Sequence, residues 1–137
     1  MHLDPASRLL RFRLAGWWDA ATIAAYRAEL LRTLARLPAP GTFFDLIADL
    51  TEFVPQTPEI ATMHGEIMAK GRGIGHRFAA SVVTSPIVRM QMARVAANPD
   101  FAYFGTDGQA VEWIETRREA AGMTERTERR LGAIKAA

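Results

Sequence analysis

The side chains able to carry chemistry are few and scattered. No cysteine is present, which excludes thiolate catalysis, cysteine-ligated zinc, iron–sulfur clusters and disulfides. The three histidines, His2, His64 and His76, form no His-x-x-x-His pair, so neither a metal site nor a cofactor is expected. His64, two positions before Glu66, would serve as a general base if it faced a polar cleft. A partly buried, hydrogen-bonded core histidine is the simpler role. Asp45 and Asp49 stand four positions apart in an apolar run, which puts both carboxylates on one side of a strand. Asp49 suits a hydrogen bond to the following loop. Asp45 either lies near the wet beginning of the strand or, if buried, needs a partner.

Two hydroxyls mark helix starts. Thr57 precedes Pro58 and Glu59; the threonine caps, the proline fits the first turn, and the acid favours the positive end of the helix dipole. A phosphate on Thr57 would meet the same free amides. Thr51 reads as a loop residue bonded to its own backbone. Thr84-Ser85-Pro86 repeats the cap-then-proline signal, and Arg89 follows one turn later as a donor for an anion. Ligands of parallel α/β sheets collect beyond the carboxyl ends of strands. Asp49, Thr84, Ser85 and Arg89 are therefore candidates for a small polar cleft beside residues 51–57. Gly71-Arg-Gly-Ile-Gly75 has the glycine content of a phosphate loop, but it ends a helix and precedes a strand. A C-cap and turn is the expectation there.

These residues need elements to position them. Leu10, Phe12 and Leu14 alternate with Arg11 and Arg13, the period of a strand with one wet face, ending at Gly16. Asp4-Pro5-Ala6-Ser7 is turn chemistry that lets His2-Leu3 pair back as a hairpin. Asp19 caps a helix whose stripe is Ile23, Tyr26, Leu30, Leu34 and Leu37, with Pro38 and Pro40 ending it. One of Trp17 and Trp18 packs under that helix and the other is partly exposed. Residues 42–50 read as a strand buried on both faces, and 51–56 as a loop. The helix from Thr57 carries Ile60, Met63, Ile67 and Met68 inward. Residues 77–84 form another buried strand, followed by a helix to about Asn98 and a short strand over 101–104. Thr106 or Asp107 caps a helix bearing Ala110, Val111 and Ile114, with Trp113 beside them, and Gly122 breaks it. Residues 124–135 form a further helix with a weak apolar face (Leu131, Ile134). Met63, Met68, Met90 and Met92 read as core filler.

Strands alternating with helices predict an α/β domain over residues 1–121: a mixed sheet of four to five strands flanked by helices, with right-handed crossovers. Residues 122–137 are its C-terminal helical tail. The chain of 137 residues is 49% apolar and 23% charged, and 17 basic against 15 acidic residues leave +2. This is ordinary globular composition, with no call for nucleic acid. Fifteen of the basic residues are arginine, in keeping with a GC-rich bacterial genome. No apolar run reaches the length of about eighteen residues that spans a membrane. The opening Met-His-Leu-Asp-Pro lacks a secretion signal, so a cytoplasmic location is expected.

The amphipathic strand ending at Gly16, the buried strand ending Phe-Asp-Leu-Ile-Ala-Asp-Leu-Thr (44–51) and the helix opening at Thr57 form one part of a layout. The closing Phe-Ala-Tyr-Phe-Gly-Thr-Asp-Gly-Gln-Ala-Val-Glu-Trp-Ile (101–114) forms another. Together they resemble a STAS domain, the sulfate-transporter and anti-sigma-factor-antagonist fold, and within it the SpoIIAA-like bacterial branch. The resemblance covers about residues 1–120. In well-characterised members the buried strand ends in Asp-Leu-Ser/Thr, as Asp49-Leu50-Thr51 does. A following Asp-Ser-Ser-Gly carries a serine phosphorylated by a partner anti-sigma kinase. This chain has Pro55-Gln56-Thr57-Pro58-Glu59 instead, with Thr57 its only hydroxyl.

The resemblance implies a non-enzymatic regulatory module that meets a kinase or anti-sigma factor around Thr51, Thr57 and Glu59. The alternative is a binder of an anionic or apolar metabolite at Asp49, Thr84, Ser85 and Arg89. A third reading is a small enzyme with His64 or Asp49 as base. A homodimer through Trp17 and Trp18 or through the tail is compatible with each.

Overall fold

The computed structural model describes residues 1–37 and 42–136, with side chains described through residue 122 and at 130. Among these, five strands and four helices alternate: β1 (His2–Asp4), β2 (Leu9–Gly16), α1 (Ala20–Leu34), β3 (Phe44–Phe53), α2 (Pro58–Arg72), β4 (His76–Val82), α3 (Pro86–Val95), β5 (Phe101–Phe104) and α4 (Asp107–Ala136). The sheet order is β1-β2-β3-β4-β5. β1 is antiparallel to β2, and the other neighbours are parallel. This is the mixed α/β sheet expected from the sequence.

Side-chain alternation sorts the sheet into two faces. Leu10, Phe12, Leu14, Leu46, Ala48, Leu50 and Ala79 pack with Ile23 and Tyr26 of α1, Ile60 of α2 and Val88 of α3. Ile47, Phe78, Ala80 and Val82 point the other way, onto Ala110 and Ile114 of α4. β3 and β4 are covered on both faces, and for that reason they read as apolar runs.

The local signals act as their chemistry requires. Asp4 accepts from the Ala6 amide at 3.1 Å and the Ser7 hydroxyl at 2.8 Å, closing the hairpin turn. Asp19 Oδ1 accepts from the Thr22 amide at 2.8 Å, capping α1. The Thr106 hydroxyl, rather than Asp107, caps α4 by accepting from the Gln109 amide at 3.2 Å. Gly75 has φ +104°, and a Cβ there would lie 2.4 Å from the Thr42 carbonyl oxygen. Only glycine fits this turn from α2 into β4.

Three expectations are corrected. Residues 51–53 belong to β3, which passes through a bulge: Arg13 pairs with Asp49 but Ala15 pairs with Glu52. The extra residue lets Thr51 and Glu52 both face outward while Phe53 returns to the core. α3 stops at Val95, short of Asn98, because a residue before proline disfavours helix and Asn98 precedes Pro99. Gly122 does not break the last helix; α4 runs on to Ala136. A lone helical glycine costs about 1 kcal/mol relative to alanine and, without a left-handed turn or a proline after it, does not end a helix. Pro38 and Pro40 lie outside the described residues, and the apolar positions Leu131 and Ile134 lie within α4 but outside the described side chains.

Candidate functional site

One buried side chain joins the carboxyl ends of β2 and β3, and a second, from α3, holds its backbone. Gln56 is buried. Its Oε1 accepts from the Trp18 amide at 2.9 Å. Its Nε2 donates to the carbonyls of Gly16 at 3.0 Å and Val54 at 2.6 Å. Its backbone is bound in turn by Gln91 of α3: the Gln56 amide donates to Gln91 Oε1 at 2.8 Å, and Gln91 Nε2 donates to the Gln56 carbonyl at 2.7 Å. Two connections, β2 to α1 and β3 to α2, whose peptide groups would otherwise be unpaired, are thus fixed to each other and to α3. Four large apolar side chains within a few positions of the clasp residues in sequence are left in solvent: Trp17 (63%), Val54 (39%), Ile87 (63%) and Met90 (63%). Met90 is therefore not core filler, and Met63 is also exposed; Met92 is buried and Met68 partly buried. Of the tryptophan pair, Trp18 is the one packed under α1, against Tyr26 and Phe53.

Thr57 borders the clasp. Its hydroxyl accepts from the Ile60 amide at 3.3 Å and its carbonyl from the Ala61 amide at 2.9 Å, so it is the N-cap of α2. Glu59 lies exposed in the first turn. Ser85 caps α3 in the same way, accepting from the Val88 amide at 3.3 Å. Thr84 is exposed beside it. Arg89 is exposed, with its guanidinium 6.0 Å from the centre of the Tyr103 ring. Burial pushes the Tyr103 hydroxyl up, against the pull of Arg89.

Asp49 and Thr51 are on the other side of β3, at the bulge. Asp49 Oδ1 accepts from the Thr51 amide at 2.9 Å and its hydroxyl at 2.6 Å, so Thr51 is a bulge residue held by Asp49. Burial raises the Asp49 carboxyl, but the Thr51 hydrogen bonds and the Arg13 charge outweigh it and leave it below the ordinary value. Of the four residues considered for a polar cleft, Ser85 and Asp49 are thus engaged locally, and Arg89 leans toward β5.

His64 lies inside an aromatic box, with ring centres 4.9 Å from Trp18, 5.5 Å from Phe53 and 5.6 Å from Tyr26. It is buried, but Nε2 has no hydrogen-bond partner, unlike the hydrogen-bonded histidine expected. Burial pushes its pKa down to about 4. A general base needs a proton within reach and a group to orient it. The box gives it ring faces. Among the described residues no cluster of histidines and carboxylates is arranged to hold a metal.

Asp45 is fully buried, not at a wet strand end. It accepts from Arg77 Nη2 at 3.0 Å, Arg77 Nε at 3.2 Å, the Phe78 amide at 3.0 Å and Arg118 Nε at 2.5 Å. Asp45 is therefore a structural anchor, separate from Asp49.

Neither Gln56 nor Gln91 stands out in the sequence. Glutamine has no spacing signature, and the pair is 35 positions apart. The one hint was the position of Gln56 between a proline and a helix cap, in a loop that must satisfy its own backbone. Among the described residues, no helix is long and apolar enough to cross a membrane. Comparison with known proteins finds no matching family model, no matching curated protein and no matching solved structure.

Proposed function

We propose that the chain is a non-enzymatic, STAS-like regulatory module of the bacterial cytoplasm that binds a protein partner at the rim formed by the carboxyl ends of β2, β3 and β4. The observation that carries this reading is the clasped rim: Trp17, Val54, Ile87 and Met90 are exposed within a few positions in sequence of the hydrogen-bonded Gln56–Gln91 clasp. Large apolar side chains grouped in solvent mark interaction sites, and tryptophan is enriched among the residues that dominate binding energy. The clasp holds the loops in place before any partner arrives, which lowers the ordering cost of association.

Thr57 and Glu59 adjoin this rim. A phosphate on Thr57 would add a charge of about −1.5 to −2 beside the apolar group. The kinase or anti-sigma type of partner follows from the resemblance carried by Asp49-Leu50-Thr51 and the closing 101–114 segment.

The test is affinity capture from the native host, quantified for the wild type, the Trp17→Ala/Met90→Ala double variant and Thr57→Glu. The partner retained by the wild type should fall by about tenfold or more with the double variant, as loss of two anchors implies. It should also change with Thr57→Glu, while circular dichroism shows both variants folded and Thr57→Glu melts only a few degrees lower, by about 1 kcal/mol of lost N-cap. Partners indifferent to both changes would remove the reading.

A further inference from the structure

A second region at the opposite end of the strands has the features of a ligand site. A cavity of about 130 Å³ is lined by the C-terminal halves of α1 and α2 and the starts of β3 and β4, among them Leu30, Leu34, Phe44 and Ile67. Apolar cavities of about 150 Å³ accept a benzene ring. Arg27 and Lys70 border this cavity and also an adjoining outer groove of about 330 Å³, which Glu66 lines as well. Neither cation has an ion-pair partner among the described residues. Two cations against one carboxylate leave the mouth with a single surplus positive charge.

His76 also lines the cavity; it is 6% exposed, and its Nε2 has no hydrogen-bond partner and is closed to solvent, so a ligand reaches it only as the lining side chains part. The imidazole is stacked between Phe44, with ring centres 5.1 Å apart, and Phe101, at 5.2 Å, so it does not turn freely to seek another partner. A buried polar atom without a partner is uncommon and calls for a physical reason.

We propose that this cleft binds a small amphipathic acid: a compact apolar body about the size of one six-membered ring, an anionic group between Arg27 and Lys70, and a hydrogen-bonding group on His76 Nε2. Binding pockets generally combine an apolar wall with a few placed polar groups that fix orientation. The site shares no residue with the rim, so either assignment stands or falls without the other.

The experiment is an amide NMR titration of the full chain with para-hydroxybenzoate and omega-hydroxyhexanoate, with benzoate and para-cresol as controls. At least one hydroxy acid should give saturable shifts along residues 27–34, 67–71 and 76, with Kd at or below about 1 mM. The stronger of the two tells whether the body is a ring or a chain. Arg27→Glu/Lys70→Glu, both at exposed positions, should weaken the acids by about tenfold or more while leaving para-cresol unchanged. His76→Phe, which keeps the ring stack, should bring para-hydroxybenzoate to the level of benzoate. The proposal is overturned if neither hydroxy acid gives saturable shifts in the cleft by about 10 mM. It is equally overturned if charge reversal leaves acid binding unchanged.

Discussion

Arg118 Nε donates to Asp45 Oδ2 at 2.5 Å across 73 positions of sequence, tying the middle of α4 to the start of β3. The same guanidinium donates through Nη2 to the Arg8 carbonyl at 3.2 Å, so the hairpin turn joins the anchor. Asp45→Ala would leave Arg77 and Arg118 without their carboxylate and the Phe78 amide without its acceptor. Removing one partner of a buried ion pair costs about 3–5 kcal/mol. Arg118→Ala should cost less, about 1.5–3 kcal/mol for a charged hydrogen bond, because Arg77 still pairs with Asp45. Urea unfolding of both variants checks the order, with Asp45→Ala the more damaging.

Stability should fall in acid through two buried histidines. His64 and His76 are each pushed down to about 4 by burial, while an unfolded histidine titrates near 6.5. Between those values the unfolded chain binds protons that the folded chain does not. The stability they contribute is complete above about pH 6.5 and is lost as the pH falls toward about 4. Each histidine should add a slope of about 1.4 kcal/mol per pH unit within that window. Urea midpoints measured across it should flatten by roughly half in His76→Phe relative to the wild type.

Two glycine substitutions should have opposite signs. A Cβ at Gly65 would lie 2.4 Å from the Val95 carbonyl oxygen, where α2 meets the end of α3. Gly65→Ala must push the helices apart and should cost about 1–3 kcal/mol. A Cβ at Gly108 meets nothing within 4 Å, and Gly108→Ala should gain up to about 1 kcal/mol of helix propensity. Thermal melts of the two proteins, moving in opposite directions, are the check.

Gln56→Leu should disorder the rim without abolishing the fold. It strands the Trp18 amide and frees the Gly16 and Val54 carbonyls, at about 1–3 kcal/mol for the buried donor. Hydrogen exchange should quicken at residues 16–18 and 54–57, and the α4 face should keep its protection.

The sequence carried much of the fold because its signals were local. Alternation at 10–14, the caps Asp19, Thr57 and Ser85, and the apolar run before residue 51 each depend on neighbours a few positions away. Less was legible where a distant partner decides. The bulge that extends β3 depends on the register against β2. The burial of Asp45 depends on Arg118, and the state of His64 depends on Trp18, Tyr26 and Phe53. At the candidate site, Thr57 was found through its cap signature. The clasp was not, because Gln56 and Gln91 meet only once two loops and α3 are in place. Met90 was misplaced because methionine suits core and interface alike.

The rim is tested most directly by a photo-crosslinking residue placed in turn at Trp17, Val54 and Met90, and at Arg36 as a control on the far side of α1, with irradiation in the native host. The account predicts that the three rim positions trap the same protein and that position 36 does not. Adducts that form equally from position 36, or three unrelated adducts from the rim, would contradict it.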